Sequence, residues 1–152
     1  MEIAPHRPIM EIGLVSCSAS KREVPSRPKD LYMESALFRK SRRHCERNHD
    51  EWYILSAKHG LLDPNGPRIN PYDETLTNAG VEAKREWGRD VADQLRGREL
   101  HTQILVFHAG KNYYEPVLEA LEELEYEIPT EGLGLGESLR WYNQRQREES
   151  NA

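Results

Sequence analysis

Cysteine is scarce in this chain of 152 residues: Cys17 and Cys45 are the whole supply. Two thiols cannot build the disulfide framework of a small secreted domain, and their spacing matches no zinc-ligand pattern. Long apolar runs are missing too. No stretch approaches the roughly 20 consecutive apolar residues that a membrane-spanning helix requires. Met1 to Pro8 carry acid and proline where a secretion signal would carry a basic stretch and an apolar core. These absences lead us to expect a cytoplasmic protein, not embedded in a membrane, with both thiols reduced. No internal repeat or low-complexity tract is visible.

The length suits one ordinary domain with one core and is too short for two. We therefore expect a single domain over residues 1–152, with flexible tails at 1–8 and 148–152. Acid outweighs base overall, with a formal net charge of −5. The excess is uneven: from Lys21 to Arg47, nine Lys or Arg stand against four Asp or Glu. An acidic protein does not coat nucleic acid indiscriminately, but a basic segment on an acidic body can engage phosphate locally. Arg39, Arg42 and Arg43 are the candidates for such backbone contacts. A solvated helix face is the plainer explanation of the same charges.

Three short apolar runs read as strands buried in a parallel sheet: Ile12–Ser16, Trp52–Leu55 and Gln103–Phe107. A weaker fourth lies at Glu125–Ile128. Helical spacing of apolar residues alternates with them over Glu34–Asn48, Asn78–Leu95, Tyr113–Leu124 and Glu137–Arg147. That order predicts an α/β fold in three layers, with a mostly parallel sheet of about four strands flanked by helices.

In such sheets ligands bind outside the carboxyl ends of the strands. Here each of the three strands runs into small and reactive residues. The first ends in Ser16-Cys17-Ser18-Ala19-Ser20-Lys21, where hydroxyls let a ligand approach the backbone and Lys21 offers a charge for phosphate or carboxylate. The glycines of a P-loop are absent. Cys17 is either a nucleophile or a small residue packed at a strand end. The second strand runs into Ser56-Ala57-Lys58-His59-Gly60, followed by Tyr72-Asp73-Glu74 in a proline-punctuated loop. His59 titrates near neutrality and is the natural acid/base. Asp73 is placed to orient it, Lys58 to hold an anion beside it, and Glu74 to pair with either; Gly60 relieves the turn. The third loop is His108-Ala109-Gly110-Lys111, whose helix start offers N–H groups to an anion. Tyr113 or Tyr114, with Tyr32 and Tyr72, are candidates for stacking on a base.

The run Gly132-Leu133-Gly134-Leu135-Gly136 lacks the dinucleotide-binding spacing and reads as a flexible lid or a loop leading into the last helix. His6, His44, His49 and His101 show no ligand spacing, so neither a metal site nor a cofactor is expected.

Three blocks together carry a resemblance: Val15–Lys21 with Asp30-Leu31-Tyr32, Leu55–Leu62 with Pro71–Thr75, and Gly132–Glu137 with Trp141. This pattern resembles a family of small uncharacterised prokaryotic and phage proteins known by a domain-of-unknown-function label, and it runs through nearly the whole chain. More distantly, the blocks are similar to the peroxide-stress protein YaaA and to the core of archaeosine synthase. Lys58-His59 stands where YaaA has Gly-Tyr, and Arg22-Glu23 follows Lys21 where archaeosine synthase has Pro-Tyr. Both resemblances imply work on nucleic acids or their bases. The expectation that follows is an enzyme-like domain acting on a nucleobase, nucleotide or nucleic acid, in base modification or glycosidic chemistry. The alternative is a noncatalytic nucleic-acid-binding protein that uses the basic helix.

Overall fold

A computed structural model describes residues 8–151. Five strands form one sheet in the order β3-β2-β1-β4-β5, with β1 at Glu11–Ser16, β2 at Glu51–Ser56, β3 at Gly60–Leu62, β4 at Ile104–His108 and β5 at Tyr126–Glu127. β1 runs parallel to both β2 and β4, and β5 runs parallel to β4. Only β3 is antiparallel, folding back on β2. The sheet is thus mostly parallel, with five strands where about four were expected. The fifth, β3, escapes a periodicity search because three residues are too few to show a repeat. Its presence turns Lys58-His59 into the tip of a tight hairpin. Gly60 starts the return strand at φ +73°, a backbone conformation that glycine adopts without steric cost.

Helices cover both faces. α2 (Ala36–Asn48) packs on β1 and β2 and against α5 (Leu135–Ser150), while α3 (Val81–Gly97) pairs with α4 (Lys111–Ala120) on the opposite face. A four-residue helix, α1 (Pro28–Leu31), precedes α2. Strand alternation sorts the core: Ile12, Leu14, Leu55, Leu105 and Phe107 join Trp87, Val91 and Leu95 of α3. Val15 and Ile54 face the other way and meet Phe38 and Cys45 of α2 with Leu31, Tyr32 and Tyr72. α2 begins where Ser35 accepts a hydrogen bond from the Phe38 N–H, 3.2 Å away.

The last helix runs further at both ends than the expected Glu137–Arg147. Residues 148–150 form the last turn of α5, where the Glu149 carboxylate accepts from Asn48 at 2.8 Å and pairs with Arg47. Val81, the first residue of α3, lies exposed. The expected N-terminal tail lies, apart from Pro8, outside the described residues, as does His6. Among the described residues no helix is long and apolar enough to cross a membrane.

Candidate functional site

The chain leaves β1 to one side for β2 and β3, then crosses back to place β4 and β5 on the other side. Neighbouring connections therefore diverge at the carboxyl ends of β1 and β4, the position where open α/β sheets bind ligands. A cleft of about 660 Å³ opens there. Its walls come from Ser16, Cys17 and Ser18 after β1 and from His108, Gly110 and Lys111 after β4, joined by Ser41 of α2, Tyr114 of α4 and Tyr142 of α5. The Gly132–Leu135 loop closes one side.

Three helices begin at this cleft: the N-caps of α2, α4 and α5 are Ser35, Gly110 and Gly134, and all three line it. Each start presents the positive end of a helix dipole, and α4 and α5 have no side-chain cap on their first N–H groups, whereas Ser35 caps α2. Gly110 has no side chain with which to cap α4. Lys111, exposed at the rim, adds a positive charge that Glu115 partly offsets from 3.6 Å. Helix starts of this kind favour negative charge in the space they face.

The second strand end forms a different structure. The Tyr32 and Tyr72 hydroxyls lie 2.6 Å apart, the Tyr72 hydroxyl lies 2.7 Å from the Ser56 hydroxyl, and Ser56 in turn accepts from the His59 N–H at 3.0 Å. Burial pushes both phenols well above the ordinary tyrosine range, so they stay protonated and hold the network together. Tyr32 and Tyr72 are therefore framework residues: their rings are buried in the α2-side core and offer no face to a base. Lys21 is engaged here as well, its ammonium 4.4 Å from the Tyr72 ring centroid, and is not part of the cleft wall. Tyr113 turns inward, edge-on to Trp87, with its hydroxyl 3.5 Å from Cys17 Sγ. Burial, followed by the neighbouring Cys17, pushes that phenol up to about 12. Cys17 is the hinge of the arrangement, lining the cleft on one side and touching this network on the other.

His59 sits outside the main cleft. Its ring lies edge-on to Tyr72 at 5.5 Å, and a small side pocket takes in His59 with Lys58, Gly60, Trp87 and Gln94. Gln94 of α3 holds the hairpin tip, accepting from Leu61 N–H at 2.8 Å and donating to the His59 carbonyl at 3.2 Å. Burial and then the Lys58 charge lower the His59 pKa, while Glu74 opposes them. Glu74, and not Asp73, is the carboxylate that His59 feels; Asp73 is exposed and among the described residues makes no hydrogen bond to the ring. We expect an NMR titration to place the His59 midpoint below 6.5, with Lys58→Ala raising it only part of the way, since the larger cause is burial. A wild-type midpoint at or above 6.5 would contradict this environment.

The arginines of α2 are largely committed to the fold. Arg42 bonds the Lys29 carbonyl at 2.8 Å and pairs with Asp30 and Glu46, and Arg39 bonds the Met33 carbonyl at 2.7 Å. Arg39 and Arg43 are both exposed with no ion pair among the described residues, and Arg43 alone of the three also makes no side-chain hydrogen bond there.

Residues without ligand spacing in the sequence converge in space. His44 of α2, His49 at its C-cap and His108 at the end of β4 each bring one ring nitrogen within 4.8 Å of the others. His49 Nε2 and His108 Nε2 are 2.9 Å apart, and His108 Nδ1 lies 2.7 Å from the Tyr142 hydroxyl. Burial lowers the pKa of both His44 and His108, which keeps these rings neutral. Sequence spacing missed this group because 59 residues separate its two most closely paired members.

Among known proteins, the uncharacterized protein YfjM of Bacillus subtilis (strain 168) is similar to this chain, 35% identical over 95 residues that cover 59% of the chain and 58% of YfjM. The match thus spans under two thirds of that relative's length. No solved structure matches. The family of unknown function DUF6884 matches residues 12–144, a span that runs from β1 into α5 and contains every wall of the cleft, and the chain belongs to that family.

Proposed function

We propose that the chain is an enzyme-like domain that binds a nucleotide, or a nucleobase carrying phosphate, in the cleft between β1 and β4. The observation that carries this reading is the convergence of three helix N-termini on a cleft of about 660 Å³. Phosphate is stabilised where N–H groups and helix dipoles point inward, and Lys111 adds a charge at the rim. Tyr114, half-buried in the cleft wall, supplies ring surface toward a base. The resemblance of the strand-end blocks to YaaA and to archaeosine synthase supports the same ligand class. Base modification or glycosidic chemistry in this cleft would fall to Cys17 and His108, a thiol and an imidazole in its wall. His59 would act only on a ligand that extends past Cys17 to the hairpin tip.

The test is a thermal-shift panel of nucleobases, nucleosides, nucleotides and short oligomers on wild type, Lys111→Glu and Lys58→Ala. A ligand that binds the native state raises the midpoint by mass action. We expect a nucleotide to stabilise wild type and Lys58→Ala, with affinity reduced about tenfold or more in Lys111→Glu, where a carboxylate replaces the ammonium at the helix start. Absence of any shift with phosphorylated ligands, or a shift unaffected by Lys111→Glu, would sink the reading. A rise confined to oligomers and abolished by salt would point to a phosphate-backbone surface elsewhere.

A further inference from the structure

We propose that His44, His49 and His108 form a binding site for one divalent transition-metal ion. His44 and His49 come from α2 and its C-cap and His108 from the end of β4, and their rings meet edge-on or tilted with centroids 5.1–5.4 Å apart. All three side chains are buried. The 2.9 Å between His49 Nε2 and His108 Nε2 is a hydrogen-bond length, so one nitrogen carries a proton and the other does not. A metal ion takes the place of that shared proton. Tetrahedral coordination with bonds of about 2.0–2.1 Å places neighbouring nitrogens about 3.4 Å apart. The pair therefore has to open by only about half an ångström to admit an ion.

The surroundings match what ligating imidazoles require. His108 Nδ1 meets the Tyr142 hydroxyl at 2.7 Å, and His49 Nδ1 faces the Glu11 carboxylate at 3.5 Å. Outer partners of this kind fix the ring orientation and raise the basicity of the ligating nitrogen. Imidazole binds metal in its neutral form, so uptake of the ion competes with protons. Among the described residues no carboxylate or thiol joins the group of ligand atoms. Three imidazoles without oxygen donors favour zinc, cobalt, nickel or copper and disfavour magnesium and calcium. His108 also lines the cleft, which gives an ion a route from solvent. Water completes the coordination as the fourth ligand.

The experiment titrates the full chain, first stripped with chelator, with Co²⁺ and follows the visible d–d bands. We expect saturation at one equivalent, the bands of four-coordinate cobalt bound to nitrogen, and displacement by Zn²⁺. His44→Gln and His49→Gln should each weaken binding by about 100-fold or more, and Glu11→Gln by about tenfold. His59→Ala should bind as wild type does. Glu11 is half exposed, so that variant remains informative if a histidine variant does not fold. Three results would each overturn the proposal: no cobalt bound by the wild type, full binding retained in Glu11→Gln and in both histidine variants, or a thiolate-to-cobalt charge-transfer band that makes Cys17 or Cys45 the ligand.

Discussion

Trp87→Ala is expected to destabilise the protein by about 3–5 kcal/mol, because it removes the largest side chain that α3 sends into the core. Trp87 is only 7% exposed and joins the cluster of Leu14, Leu55 and Phe107 beneath α3 and α4. Its indole N–H also donates to the Ser56 carbonyl at 2.8 Å, and its ring meets Tyr113 edge-on at 5.6 Å. The truncation thus opens a cavity and leaves a buried carbonyl without its partner, two costs that add. Trp87→Phe keeps most of the volume and loses the donor, so it should cost about 1–2 kcal/mol. Urea denaturation of the three proteins checks both values. If Trp87→Phe proves as damaging as Trp87→Ala, the hydrogen bond outweighs the packing and this account of the core is wrong. The effect should reach the site as well, since Ser56 bonds both Tyr72 and the His59 N–H.

The next residue along α3 should fail in the opposite way. Gly88 lies against α4, and a methyl group added there would sit on the Pro116 carbonyl, 2.6 Å from its carbon and 2.8 Å from Pro116 Cβ. The main obstacle is backbone, which no change of rotamer can move aside. Helix propensity alone would make Gly88→Ala stabilising by about 1 kcal/mol. We expect the overlap to win and the substitution to cost a net 1–3 kcal/mol, as overpacked cores do. α3 and α4 would have to separate along their contact, the most extensive between any two elements of the fold. A Gly88→Ala protein more stable than wild type would show that the two helices slide apart at little cost.

Much of this fold was legible along the chain. Apolar runs such as Ile12–Ser16 and Gln103–Phe107 are short, continuous and bounded by polar residues, and they became β1 and β4 within one residue at each end. The helices followed from periodicity because each buries one stripe, as α3 does with Trp87, Val91 and Leu95. The cleft wall contributed by Ser16, Cys17, Ser18, His108, Gly110 and Lys111 was readable for the same local reason: residues after a parallel strand lie at one edge of the sheet.

What was not readable depended on distance. Tyr32 and Tyr72 resemble ligand platforms in sequence, but the core on the α2 side closes over them and joins their hydroxyls to Ser56. Arg39 and Arg42 resemble a phosphate-binding face, but they fold back onto the carbonyls of Met33 and Lys29. His44 and His49 have no ligand spacing until the crossover from β3 to β4 brings His108 beside them. The sequence by itself determined the α/β class, most of the elements and the edge of the sheet that carries polar residues, because propensity and periodicity act over a few neighbours. Only the tertiary structure decided which strand ends share a cleft, which polar side chains the core consumes and which histidines meet, because those outcomes depend on crossovers and packing between residues far apart in the chain.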